Sequence, residues 1–248
     1  MIPKIIHYCW FGHNPLPKSA LKCINSWKKF FPDYEIKEWN EGNFDVNTIL
    51  YTRQAYEAGK YAFVSDYARF WILYNYGGIY FDTDVEVIKP MDDIIVRGPF
   101  MGIEIPATAS NIPYVAPGLG LGVNPGHDLY KSLIDKYSSL SFVNEDGSLN
   151  QQTIVSYTTE TLLTLGLRPS NDIQNVSGVW IYPQDYFNPL DSLTGKLHIT
   201  ENTRSIHWYM NSWSDKTKLY TFFSRMSHRL FSTKLHEVRE RLRTCLKH

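Results

Sequence analysis

The chain has 248 residues, 43% of them hydrophobic and 20% charged, so it is long enough to bury the core of a compact domain. Its 25 basic residues balance 25 acidic ones, which argues against a partner of the nucleic-acid class. Its 3 cysteines lack CxxC spacing, which argues against a disulfide framework or a zinc-thiolate site and favours a reducing compartment. With too short an apolar run for a signal peptide and no predicted membrane span, we expect a cytoplasmic protein.

Strand and helix patterns alternate through the first part of the chain. The predicted strands are residues 4–10, 34–39 and 79–88, and the predicted helices are residues 18–31, 48–61 and 63–76. The strands are apolar or alternate in polarity, and the helices repeat apolar side chains at helical spacing. This order of elements predicts an α/β sheet with crossover connections.

The second part of the chain has weaker patterns. Residues 106–126 are rich in proline and glycine and predict a loop with one short strand at 119–123. Beyond them we predict helices at 127–137 and 151–165 and strands at 178–182 and 205–209. No repeat or long linker divides this part of the chain.

Two acidic residues, Asp82 and Asp84, interrupt the apolar segment 79–88. Side chains two apart on a strand point to one face, so the two carboxylates are expected to converge. Convergent oxygen donors at a strand end suit Mn²⁺ or Mg²⁺ and leave coordination positions for phosphate oxygens. The alternative is a solvated strand end or a turn that carries two acids.

A second polar pair lies on the predicted helix 63–76. Asp66 and Arg69 are three residues apart and can face the same side. They form either a surface ion pair of little energetic value or part of a binding site. In a binding site, Asp66 would accept from sugar hydroxyls and Arg69 would contact phosphate or sugar oxygens.

Three segments in this order carry a family resemblance. They are residues 2–10 (IPKIIHYCW), the helix Ser65-Asp66-x-x-Arg69, and the run Gly77-Gly78-x-Tyr80-x-Asp82-x-Asp84. Together they resemble glycosyltransferase family thirty-two, which includes sugar transferases of the capsular-polysaccharide and initiating mannosyltransferase type. They are also similar to the catalytic domain of large glucosylating bacterial toxins. The resemblance covers residues 2–90, with a weaker likeness at 205–213.

The resemblance implies a fold and a reaction. The fold is GT-A, the Rossmann-like mixed sheet flanked by helices of nucleotide-diphospho-sugar transferases. The reaction is a metal-dependent, retaining transfer of a sugar to a glycan or lipid-linked saccharide, in bacterial capsular or surface polysaccharide synthesis. A UDP-sugar donor is favoured over a GDP-sugar.

The resemblance also assigns a donor site, position by position. Trp10 would stack on the nucleobase, and the Cys9 backbone would hydrogen-bond to its edge. Tyr80 and Asp82 would lie against the ribose and the water shell of the metal. The remaining donor-binding residues are Ser65, Asp66, Arg69, Ser212 and Trp213, the last two capping the diphosphate from a lid. For Trp10, a place in the hydrophobic core is the alternative.

The resemblance implies three metal ligands, Asp82, Asp84 and His207. It also implies that Asp84, Asp82 and Arg69 are the catalytic residues. An imidazole ligand would favour Mn²⁺ over Mg²⁺. A histidine after a strand can equally be structural, and the toxins have an acidic residue in that role, so the third ligand stays open.

The acceptor site is assigned to Glu104, Asn150 and Gln151, which lie in or beside loops expected to surround the sugar. The structural alternative makes Asn150 a helix N-cap and places Gln151 and Gln152 in the first helical turn. We prefer that alternative for Gln152.

Two other functions remain open. A phosphatase of the haloacid dehalogenase type also places a DxD sequence at a strand end, but here Glu86 stands where such enzymes have Thr or Val. A non-catalytic protein that only binds nucleotide-sugar would keep the same binding residues.

The last part of the chain is strongly basic. Residues 215–248 hold nine Lys and Arg against three Asp and Glu, a net charge of +6, whereas residues 1–214 carry −6. We therefore predict a transferase domain at 1–214 and a basic amphipathic helical extension at 215–248. The extension either packs on the domain or lies on an anionic membrane surface.

Overall fold

The computed structural model describes residues 1–109, 111–192 and 194–210. One compact unit comprises Met1–Pro189 with Ile199–Met210, and Leu190–His198 belongs to a second unit. None of the helices in the described ranges is both long enough and apolar enough to cross a membrane. Ser212, Trp213 and the predicted basic extension lie outside the described residues, so their assignments stay predictions.

The elements of the large unit alternate in type along the chain. Its strands are β1 Ile5–Cys9, β2 Glu35–Trp39, β3 Gly78–Tyr80, β4 Val85–Val87, β5 Phe100–Ile105, β6 Tyr114–Val115, β7 Leu121–Val123, β8 Gln174–Val176, β9 Val179–Tyr182 and β10 Ser205–His207. Its helices are α1 Lys18–Phe30, α2 Leu50–Glu57, α3 Tyr61–Tyr76, α4 Asp92–Arg97, α5 Asp128–Ser138, α6 Ile154–Thr164 and α7 Gln184–Phe187, with a short 3-10 helix at Pro117–Leu119.

Eight of these strands form one mixed sheet in the order β2-β1-β3-β7-β5-β9-β8, with β6 paired to β5. The strands β1, β2 and β3 are parallel, β7 runs antiparallel to β3 and β5, and β9 is parallel to β5. The remaining strands, β4 and β10, form a separate antiparallel pair. Helices flank the mixed sheet, which confirms the predicted α/β fold class.

Hydrophobic clusters pack on the two faces of β1. Because side chains alternate along a strand, Ile6 and Tyr8 join the cluster that contains Trp27 of α1. Cys9 joins the other cluster, together with Phe70 of α3. Through these two clusters α1 and α3 pack on opposite faces of β1, and the carboxyl end of β1 lies beside that of β3.

The predicted strand at 79–88 is wrong, because two short strands replace it. β3 belongs to the mixed sheet and β4 to the separate pair, and a turn containing Asp82 and Asp84 joins them. The amide of Val85 donates to the carbonyl of Asp82 at 3.0 Å, which closes the turn. The turn, and not the alternation of a strand, therefore decides where the two carboxylates point.

The predicted helix at 151–165 begins later than expected. The Thr153 hydroxyl accepts from the Ser156 amide at 3.3 Å, so Thr153 is the N-cap and α6 starts at Ile154. Asn150 is therefore not the cap, and Gln151 and Gln152 precede the helix. The predicted strand at 119–123 shortens to β7, because the 3-10 helix takes up its beginning.

Candidate functional site

Helix α3 buries an arginine between two carboxylates. Arg69 is 3% exposed, and its Nη2 lies 3.0 Å from Oδ1 of Asp66 while its Nη1 lies 3.2 Å from Oδ1 of Asp82. Burial opposes the charge of Arg69, but the two carboxylates outweigh it and keep the pKa of the guanidinium above its usual value. The pair predicted on this helix is therefore a buried network, not a surface ion pair.

Asp66 is the more deeply placed of the two carboxylates. Its burial raises the pKa of its carboxyl to about 7, although the charge of Arg69 acts in the opposite direction. The Asp66 oxygen is already engaged by Arg69, so the arrangement gives it a role in holding the guanidinium.

Three other predicted donor-site residues surround Arg69. The guanidinium carbon lies 4.7 Å from the ring centroid of Tyr80, whose hydroxyl donates to Oδ1 of Asp82 at 3.3 Å. The Nε of Arg69 donates to the backbone carbonyl of Ser65 at 3.2 Å. Cys9 is buried beside them, and burial raises the pKa of its thiol to about 12, so the thiol is neutral.

The pairing of β10 with β4 brings His207 to the turn after β3. Nε2 of His207 lies 3.0 Å from Oδ1 of Asp84, and the Met210 amide donates to Oδ2 of Asp84 at 2.9 Å. The Trp208 amide donates to the backbone carbonyl of Asp84 at 3.0 Å. The segment that follows β10 therefore holds both the side chain and the backbone of Asp84.

Asp82, Asp84 and His207 form a group of possible metal ligands. Each offers one ligand atom, and these atoms all lie within 4.8 Å of one another. Burial opposes the charge of His207, but Asp84 raises the pKa of its imidazole above the usual value. Nδ1 of His207 is buried without a hydrogen-bond partner among the described residues. Two carboxylates and an imidazole with one ring nitrogen not engaged in a hydrogen bond in the described part of the chain are suitable ligands for a divalent cation.

Gly118, in the 3-10 helix, lies directly against Asp82. Its carbonyl accepts from the Asp82 amide at 3.3 Å, and a Cβ at position 118 would overlap the Asp82 carboxylate. The site therefore needs a residue without a side chain at this point, which sequence patterns alone did not indicate.

Trp10 lies at the carboxyl end of β1 and lines an open cavity of about 370 Å³. The cavity is also lined by His13, Asn14, Glu38, Asn40, Glu41 and Gly42. The parallel register of β1 and β3 puts Trp10 and Asp82 at the same edge of the sheet, where ligands bind in open α/β folds. Trp10 thus packs partly on the core and also lines the cavity.

The three predicted acceptor residues have different surroundings. Glu104, on β5, accepts from the Tyr209 hydroxyl at 3.0 Å, which connects it to the segment after His207. The Asn150 amide donates to the Tyr157 hydroxyl at 3.0 Å and to the Ser141 carbonyl at 3.3 Å, so it fixes the loop before α6. Gln151 is exposed in that loop.

Sequence reasoning missed Tyr209, Met210 and Gly118. Met210 acts through its backbone amide and Gly118 through the absence of a side chain, so neither residue type signals its role. Tyr209 had one available signal, its position two residues after His207.

A model of the family described as glycosyltransferase sugar-binding region containing DXD motif matches residues 17–101. That segment contains α3 and the turn with both acids, and it ends before β10. The predicted resemblance to DXD sugar transferases is confirmed at this level.

Two relatives extend the comparison. The chain is 26% identical over 250 residues to an uncharacterized glycosyltransferase of Acanthamoeba polyphaga mimivirus, covering 93% of this chain and 91% of that protein. It is 29% identical over 111 residues to inositol phosphoceramide mannosyltransferase 1 of Schizosaccharomyces pombe, covering 40% of this chain and 33% of the yeast protein. These matches support a glycosyltransferase with a DXD region.

Among solved structures, the chain is similar to the PaToxG glycosyltransferase. The two are 19% identical and superpose with a TM-score of 0.48, over 66% of this chain and 69% of the other.

Proposed function

We propose that this chain is a metal-dependent, retaining glycosyltransferase of family thirty-two with the GT-A fold. It would move a sugar from a nucleotide-diphospho-sugar to a saccharide or lipid-linked saccharide. The observation that carries the proposal is the group Asp82, Asp84 and His207, in which Asp82 pairs with buried Arg69. Trp10, which lines a cavity, follows β1 at the same edge of the sheet as Asp82.

Asp82, Asp84 and His207 would hold the cation. Two oxygen donors and one nitrogen favour Mn²⁺ over Mg²⁺. When bound, such an ion would neutralise charge on the diphosphate as the glycosidic bond breaks.

The residues around this group would bind and orient the donor. Trp10 offers an indole face on which a flat nucleobase can stack. Arg69 is held rigidly by Asp66 and Asp82, so its positive charge is already in place for the developing charge of the leaving group. Glu104 would accept hydrogen bonds from sugar hydroxyls of the acceptor.

The finer parts of the proposal concern substrates and place. We retain a UDP-sugar as the favoured donor, and bacterial capsular or surface polysaccharide as the setting. The Schizosaccharomyces pombe relative is named as an inositol phosphoceramide mannosyltransferase, which supports a lipid-linked acceptor. A cytoplasmic enzyme whose basic extension contacts the inner face of the membrane would suit that acceptor.

The test is a panel of nucleotide-sugars with Mn²⁺, scored by release of the free nucleotide. We expect turnover with one donor and a loss of about 100-fold or more in Asp84→Asn, because that substitution weakens the binding of the cation that would offset the developing negative charge. Asp135→Asn is the matched control, since Asp135 is an exposed residue of α5 paired with Lys131. It should retain activity.

Three results would contradict the proposal. Binding of a nucleotide-sugar without turnover would favour the non-catalytic alternative. Release of phosphate from a sugar phosphate without a donor would favour the phosphatase. Equal activity of wild type and Asp84→Asn would remove the metal site from the mechanism.

A further inference from the structure

Three of the four residues from His207 to Met210 bind Asp84. The His207 imidazole and the Met210 amide engage its two carboxylate oxygens, and the Trp208 amide engages its backbone carbonyl. Tyr209, between them, donates its hydroxyl to Oε1 of Glu104 at 3.0 Å. Glu104 belongs to β5 of the mixed sheet, whereas β10 belongs to the separate pair. Tyr209 therefore links the segment that holds Asp84 to the main sheet.

The backbone of Tyr209 has a conformation that side-chain-bearing residues rarely adopt. Its φ is +50°, in the left-handed region, which costs on the order of 1 kcal/mol for a residue other than glycine. Because the chain reverses here, His207 and Met210, three positions apart, both contact the carboxylate of Asp84. Something must hold the strained conformation in place.

The Tyr209 side chain provides two such contacts. Its ring meets the His207 ring edge to face, with centroids 4.3 Å apart. Its hydroxyl donates to Oε1 of Glu104 at 3.0 Å. The ring thus fixes the orientation of the imidazole, and the hydroxyl fixes the ring.

We propose that Tyr209 is a positioning residue. Its hydroxyl bond to Glu104 and its ring contact with His207 hold the imidazole and the Met210 amide on Asp84, and they thereby set the metal affinity of the group Asp82, Asp84 and His207. This inference rests on the proposed function, because it requires that group to bind a cation. Residues that orient metal ligands commonly change metal affinity by 10–100-fold when they are altered.

The test measures Mn²⁺ affinity directly, on the full chain without donor, by calorimetry or by the electron paramagnetic resonance of free Mn²⁺. We expect Tyr209→Phe to weaken binding by about tenfold, as for other residues that orient a ligand. Glu104→Ala should also weaken it, and Tyr209→Phe should add nothing further in that background. Non-additivity of this kind is the signature of two residues that act through one contact.

Two further variants separate positioning from stability. Tyr209→Gly accepts the left-handed backbone without strain but has neither ring nor hydroxyl, so it should bind Mn²⁺ more weakly than Tyr209→Phe does, at a temperature where a melting curve shows both variants to be folded. Tyr157→Phe, which removes a hydroxyl bonded to Asn150, is the matched control and should bind as wild type does.

Unchanged Mn²⁺ affinity in Tyr209→Phe, or wild-type affinity in Tyr209→Gly, would overturn the positioning role while leaving the metal site intact. A wild-type chain that binds no Mn²⁺ would instead refute the metal site, and the positioning role would fall with it.

Discussion

At the scale of single residues, the site depends on one position that must have no side chain. Asp82 is held from one side by Arg69 and Tyr80, and from the other by the backbone of Gly118. Gly118 does not have a positive φ, so alanine is acceptable to its backbone. The requirement for glycine is therefore one of space and concerns the Asp82 carboxylate alone.

We predict that Gly118→Ala lowers nucleotide release by about tenfold or more while changing stability little. The new methyl group would displace the Asp82 carboxylate, and a small misplacement of a reacting or binding group can cost about 100-fold in rate. Activity and urea denaturation of the same preparation provide the measurement.

Gly147→Ala is the control for this prediction. Gly147 has a φ of +81° and open space around its Cα, so alanine there should cost stability, by about 1 kcal/mol, and leave activity unchanged. The opposite pattern, with Gly118→Ala active and unstable, would show that position 118 matters for folding and not for the site.

At the scale of elements, a buried histidine joins three segments of the fold. His7 of β1 accepts from the Trp39 indole of β2 through Nδ1 at 3.0 Å, and its Nε2 lies 3.0 Å from the carbonyl of Gly77, after α3. Only a neutral imidazole with the proton on Nε2 satisfies both bonds. Burial accordingly lowers the pKa of His7 from 6.5 to about 4.

This depressed pKa predicts that His7 itself destabilises the folded chain in acid. Above pH 6.5 His7 is neutral in both states, and between pH 6.5 and about 4 only the unfolded chain binds its proton. The contribution of His7 to the free energy of unfolding should therefore fall by about 3 kcal/mol through that window, while Asp66, whose pKa burial raises to about 7, acts in the opposite direction. Urea denaturation at several pH values measures it.

The His7→Gln variant lacks this contribution, so its free energy of unfolding relative to that of wild type should rise as the pH falls through this window. His13→Gln serves as the comparison, because the His13 side chain is 75% exposed. A nuclear magnetic resonance titration of the His7 ring gives the same answer without a variant, and a midpoint near pH 6.5 would contradict the prediction.

Local sequence patterns correctly predicted the strands and helices around His7. The strands β1 and β2 and the helices α1 and α3 lie within one or two residues of their predicted ranges. Their apolar periodicity is long, and Pro32 and the pair Gly77-Gly78 mark their ends. Such elements can be predicted from their own residues, because both the apolar periodicity and the residues that end them are local.

Short elements and tertiary contacts escaped prediction. β4 and β8 have three residues each, too few to show a period, and β3 and β4 read as one apolar strand because the turn between them is only visible in three dimensions. The site residues divide in the same way, into those visible in the local sequence and those that depend on tertiary contacts. Asp82, Asp84, Asp66 and Arg69 were identifiable from their chemistry and spacing, whereas Gly118 and Tyr209 depend on contacts with distant segments.

At the scale of the whole molecule, charge divides the chain into an acidic body and a basic extension. The net charge of +6 over residues 215–248 predicts attraction to an anionic membrane surface, where each basic side chain contributes about 1 kcal/mol. We predict that a chain truncated after Trp213 stays soluble but no longer binds phosphatidylserine vesicles in a sedimentation assay.

Full-length chain on neutral phosphatidylcholine vesicles is the control for this experiment, and it should not sediment. Salt should weaken binding to the anionic vesicles, since exposed charges are screened. If the truncated chain sediments with them as well as the full chain does, the extension packs on the domain or elsewhere, and the membrane contact lies outside it.

The bond between Met210 and Asp84 spans 126 positions of the chain. A ribosome that adds about 5–20 residues per second delivers the acidic turn roughly 10 s before the segment that holds it. Throughout that interval the emerging polypeptide has α3 and both acids, but it lacks His207 and the amide that fix Asp84. Catalytic competence would therefore arise late in synthesis, and a prematurely terminated product would not consume activated sugar.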